Sequence, residues 1–128
     1  MKGAGILLGL LLVYAALMVQ GCVMAAVGAG AAGTVAYIRG DLEVVEPASF
    51  DEVYVVTRAV LEELELNVIK DSKDAISAVI VALDAEDKKI TIKLSGTTQR
   101  TTEISIRVGL FGDETKSRTI YQKIHDSI

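Results

Sequence analysis

The apolar residues of this chain fall into one unbroken run, several alternating stretches and two helical stripes, and each pattern predicts a different element. Gly5 to Val19 (GILLGLLLVYAALMV) is apolar without period or charge. Thr34 to Glu46 carries β-branched and aromatic residues in partial alternation. This predicts a strand, bent at Gly40 and ended by Pro47, the only proline. Ser49 followed by Glu52 has the capping-box spacing that opens a helix. Behind it Phe50, Val53, Tyr54, Thr57, Val60, Leu61 and Leu64 share one helical face, while Asp51, Glu62, Glu63 and Glu65 fall away from it.

Beyond that helix the period changes to two. Leu66 to Lys70 reads as a short strand, and Ile76 to Leu83 (ISAVIVAL) as a strand apolar on both of its alternating sets. Lys89 to Ser95 places Ile90, Ile92 and Leu94 on one side. Thr102 to Leu110 places Thr102, Ile104, Ile106, Val108 and Leu110 inward, with Glu103, Ser105 and Arg107 outward. Polar turns at Asp84–Asp87 and Gly96–Arg100 separate these strands. Clean alternation marks an antiparallel sheet wetted on one face. Gly112 breaks the last strand, Asp113 can cap, and Glu114 to Ser127 predicts a closing helix with Ile120, Tyr121 and Ile124 as its stripe. The order strand, helix, four strands, helix predicts a two-layer α+β fold, with the long first helix packed on one face of a twisted antiparallel sheet.

The unbroken run sets the organisation of the chain. Met1 and Lys2 supply a short positive start, and the apolar stretch has the length of an export-signal core. It ends at Val19-Gln20-Gly21-Cys22, which resembles the bacterial lipobox. Gly21 is the small residue needed beside the cut, and Cys22, the only cysteine, supplies the sulfur that takes the lipid. Gln20 departs from the small or aliphatic residue usual at its position. The expected organisation is a signal peptide over residues 1–21, a lipidated Gly/Ala-rich tether over 22–33 and a single domain over 34–128. The alternative is an uncleaved transmembrane anchor, since Gly3 to Ile38 holds no charge and a span needs about 20 apolar residues. Both readings leave Lys2 on the cytoplasmic side and export the domain. A lone cysteine leaves no intramolecular disulfide to form. Val23 after the cysteine favours the outer over the inner membrane.

Charge and composition narrow the function classes. Removing residues 1–21 leaves 12 basic against 17 acidic side chains and no tryptophan, which argues against a nucleic-acid footprint. The run Gly28-Ala29-Gly30-Ala31-Ala32-Gly33 has the spacing of a dinucleotide-binding glycine motif but lacks the strand before it and the helix after it. His125 stands alone in the last turn of the final helix, where a cation complements the dipole. Asp71/Asp74 and Asp84/Asp87 read as turn solvation without a calcium-loop pattern, and Glu62, Glu63 and Glu65 as a solvated helix face. No nucleophile has a recognisable histidine partner. The expectation is therefore no enzyme, no cofactor and no metal.

Two surfaces stand out. Lys89, Thr91, Lys93, Glu103, Ser105 and Arg107 form a polar sheet face able to hold a ligand or partner. The strand Ile76 to Leu83 must leave apolar groups on its far side, whichever set faces the core. Cover by the C-terminal helix or by Thr34–Arg39 is expected, with an interface at Val79, Val81 and Leu83 as the alternative.

The Gly21-Cys22 junction, the stretch GAGAAGTVAYIRGDLE from Gly28 to Glu43 and the more specific TTEISIRVGLFGDE from Thr101 to Glu114 resemble a small family of bacterial lipoproteins known only as a domain of unknown function. The resemblance spans nearly the whole chain. It implies an envelope location and a lipid at Cys22, and brings no activity or catalytic residues. In fold alone, the element order looks like the helix-grip domains of a lipoprotein subunit of the outer-membrane barrel-assembly machine, an analogy that carries no function. The functional expectation is a lipid-anchored, non-enzymatic envelope protein whose domain binds another envelope component. The alternative is a small-ligand module between the first helix and the sheet, where Phe50, Tyr54 and Leu64 are expected to fill the space.

Overall fold

A computed structural model describes residues 3–14 and 35–128. Residues 3–14 form helix α1 from the first part of the apolar run, with every side chain exposed. Among the described residues no helix is long and apolar enough to cross a membrane. Gly21, Cys22, the tether and the glycine motif at 28–33 lie outside the described residues.

The remainder, Gly33–Ile128, is a separate unit. It is α+β, with one open six-stranded antiparallel sheet of order β1-β2-β6-β5-β4-β3. The strands are β1 (Val35–Ile38), β2 (Asp41–Glu46), β3 (Asn67–Lys73), β4 (Ser77–Leu83), β5 (Lys89–Thr98) and β6 (Thr101–Val108), and the helices are α2 (Phe50–Glu63) and α3 (Glu114–Asp126). The expected first strand is instead a hairpin. Arg39 at φ 53° and Gly40 at φ 90° both lie in the left-handed region, as the tight two-residue turn between twisted strands requires.

Helix α2 starts where its capping signal lies: the Ser49 hydroxyl accepts from the Glu52 N–H at 3.3 Å. It buries Phe50, Val53, Thr57, Val60 and Leu61. Across the sheet, Leu42, Ile106, Ile92 and Ile80 are neighbours in register on four adjacent strands. All four are fully buried in one core with Val53, Val60 and Leu61 of α2 and Ile120 and Ile124 of α3. Helix α2 packs over β3 to β6, α3 packs over β2 and β6, and the two helices touch. Both therefore cover the same face, and among the described residues of this unit no element covers the other.

That arrangement corrects the expected cover for β4. Helix α3 lies on the core side, and β1 occupies the opposite edge of the sheet. The apolar far side of β4 is shielded by its neighbouring strands instead. Val81 stands between Lys70 and Thr91, and Val79 between Ser72 and Lys93. Long lysine stems can lie along such apolar surface. Val81 is only 6% exposed, and Val79 and Leu83 are half-buried. A second correction falls on Leu110, expected inward. Gly109, at φ 74°, turns the chain away after Val108, and Leu110 is 78% exposed.

Candidate functional site

The uncovered sheet face is built by strand alternation, and register fixes its layout. One row runs Asp41, Arg107, Thr91, Val81, Lys70, and the next runs Glu43, Ser105, Lys93, Val79, Ser72. A third runs Val45, Glu103, Ser95, Ser77. The face is thus acidic at β2, mixed at the centre, apolar along β4 and cationic beyond it. The six residues expected to share a polar face do share it, and Asp41 and Glu43 join them from β2, a contribution hidden by reading β1 and β2 as one strand. Asp41, Thr91, Lys93, Ser105 and Arg107 line a hollow of about 290 Å³.

Arg107 organises this surface. Its guanidinium sits 3.2 Å from the Asp41 carboxylate and donates to Arg39 O at 3.0 Å and to Leu110 O. The planar fork of arginine donors joins the β1–β2 turn to the loop after β6. Lys93 has no ion-pair partner among the described residues, so the hollow offers a free ammonium beside the Thr91 and Ser105 hydroxyls. This chemistry suits a ligand or partner carrying acceptors, carboxylate above all.

A second polar cluster lies on the helix side, and sequence reasoning missed it. Glu46 is buried and accepts from the Tyr121 hydroxyl at 2.7 Å. His125 Nδ1 is 3.0 Å from the same carboxylate. His125 is therefore not merely a cation at a helix end: it and Tyr121, four residues apart on α3, clamp the end of β2. The signal was present, because Glu46 shares its parity with Leu42 and Val44 and so points inward. Burial, then the Glu46 hydrogen bond, raise the Tyr121 phenol far above its ordinary value. The arrangement fastens α3 to the sheet.

The aspartates also resolve. Asp71 lies within β3, not in a turn: it accepts from the Tyr54 hydroxyl at 2.7 Å and pairs with Arg58 at 3.3 Å. That hydrogen bond raises the Tyr54 phenol. Asp84 does serve a turn, accepting from the Glu86 and Lys88 N–H groups at 2.9 and 2.8 Å, and the Lys88 bond leads in lowering its carboxyl. Among the described residues no group of three or more His, Cys, Asp or Glu side chains could hold a metal ion. Phe50 is in the core, and Tyr54 and Leu64 pack against it. An opening of about 550 Å³ lies along α2 and β3, between Val55, Arg58, Ala59 and Val68.

Comparison with curated proteins gives no match. The family described as "Protein of unknown function (DUF3568)" matches residues 5–127, nearly the full length, and the chain belongs to that family.

Proposed function

We propose that this chain is a lipid-anchored, non-enzymatic protein of the bacterial envelope whose domain presents its uncovered sheet face to another envelope component. The observation that carries the reading is the one-sided layering of the domain. Both helices cover one face of the sheet, and the other is left with a graded surface of charge, hydroxyls and an apolar strip. The Gly21-Cys22 junction behind an uncharged apolar run supports the anchor. A lipobox cysteine carries more than one acyl chain, and two or more chains hold a protein lastingly where one does not. The non-enzymatic part is supported by the single histidine, which faces Glu46 beside Tyr121 and not a nucleophile.

Radiolabelled fatty acid enters the wild-type chain and not Cys22→Ala; equal labelling of the two refutes the anchor. A photo-crosslinking residue at Ser105 or Thr91, in intact cells, captures one envelope component. The same residue at exposed Val55, on the outer side of α2, does not. Equal capture from both positions removes the sheet face from the proposal.

A further inference from the structure

Leu110 and Phe111 are 78% and 87% exposed, the two most exposed large apolar side chains among the described residues. Their loop is nevertheless held firmly. Gly109 and Gly112 flank it at φ 74° and 84°, values that suit glycine. The Gly109 N–H donates to Lys89 O at 2.7 Å, and Arg107 donates to Leu110 O. The β1–β2 turn packs directly beneath: a Cβ at Gly40 would lie 2.7 Å from Phe111 O. A fixed backbone holds two apolar side chains out in solvent, and Ile38, 49% exposed, flanks the same turn.

Charges of both signs surround this tip and offset one another. Arg39, Lys88 and Lys89 make no ion pair among the described residues, and the Lys88 stem lies against Gly109. Nearby carboxylates stand against them. Asp41 pairs with Arg107, Asp84 and Glu86 with Lys116, and Glu114 with Arg118, while Asp113 caps α3. Two carboxylates share the one Lys116, and neither Asp113 nor Asp87 has an ion pair among the described residues, so the free cations are offset. An apolar peg with charges of both signs around it suits a bilayer surface, where apolar groups enter the acyl boundary and charged groups stay with the headgroups. Two side chains are too small a patch for a stable protein interface, which buries about 800 Å² per partner.

We infer that the Leu110–Phe111 loop is a second, reversible membrane contact, docking the domain on a lipid surface. The inference rests on the lipid-anchor reading for its setting. The thirteen residues from Val23 to Val35 reach at most about 45 Å. Strand β1, four residues long, places Val35 only about 13 Å from the tip along the sheet. The chain is long enough for anchor and tip to meet the same bilayer.

The chain has no tryptophan, so Phe111→Trp gives a unique reporter at a position that packs against nothing. The full-length variant is reconstituted in vesicles of phosphatidylcholine, with or without phosphatidylglycerol. Emission shifts to the blue and is quenched by brominated acyl chains in both kinds of vesicle. Most of the quenching is lost in Leu110→Ser. Water-like emission untouched by brominated lipid overturns the inference. A blue shift that grows with protein concentration but ignores brominated lipid also overturns it, in favour of self-association. Mass spectrometry of Cys22 on the same cell-derived samples separates the two readings. An acylated cysteine with an unquenched reporter sinks the tip alone, and a free thiol with a quenched reporter sinks the anchor alone.

Discussion

At the scale of single residues, Glu46 has the most to reveal, because a buried carboxylate is tolerated only where donors reach it. The Tyr121 hydroxyl donates to it, and His125 Nδ1 lies within hydrogen-bond distance. Tyr121→Phe leaves the carboxylate short of one hydrogen bond, and the loss is expected to cost about 1–2 kcal/mol near neutral pH. The sign of its pH dependence follows from the raised phenol. The folded state favours the protonated form, so the contribution is fully present below the ordinary tyrosine value of about 10. It is lost progressively as pH rises above that value, where the unfolded chain ionises first. Urea titrations of wild type and Tyr121→Phe at a series of pH values check this. The gap between their stabilities stays constant to about pH 10 and narrows above it; a gap that widens there contradicts the assigned hydrogen bond.

At the scale of elements, Arg107 shows how one side chain couples two loops that share no sequence neighbourhood. It reaches Arg39 O, the Asp41 carboxylate and Leu110 O, so Arg107→Ala should loosen the β1–β2 turn and the loop after β6 together. A global cost of about 1–2 kcal/mol is expected, with faster amide exchange confined to residues 38–42 and 109–113. Arg107→Lys should restore little, because the three acceptors are reached from two separate guanidinium nitrogens held in a planar fork, which a single ammonium nitrogen cannot span. Uniform acceleration of exchange across the sheet contradicts the local role. This clamp was only half legible in the sequence. Helix α2 announced itself through Ser49, Glu52 and a stripe of large residues, and β5 and β6 through strict alternation. The β1–β2 hairpin did not, since Arg39 is an unusual residue for a left-handed turn position and Gly40 alone looked like a bend. Splitting that strand moved Asp41 and Glu43 beside Arg107 and Ser105 and produced the hollow. Leu110 continued the inward parity of β6 in sequence, yet the positive φ of Gly109 overrode it. Nothing in a residue list shows which of two glycines ends a strand.

For the molecule as a whole, the decisive feature is that one sheet has one core, on one side. Ile80, Ile92, Ile106 and Leu42 form a fully buried row beneath α2 and α3. Val81, though only 6% exposed, stands on the opposite face and outside that core. Similar burial should therefore carry different energetic weight. Ile92→Ala opens a cavity walled by close-packed side chains from both layers, which cannot collapse, and is expected to cost about 3–4 kcal/mol. That is a large share of the 5–15 kcal/mol, in order of magnitude, that holds a small domain together. Val81→Ala removes methyl groups covered from above only by side chains of adjacent strands. Lysine stems and water can close over the gap, so about 1 kcal/mol is expected. Denaturant midpoints of the two variants, with unchanged slopes, measure the difference. Equal losses would mean that the far face is packed as tightly as the core. A surface packed in that way would have no use for a partner, and the sheet face would lose its claim as the proposed docking surface.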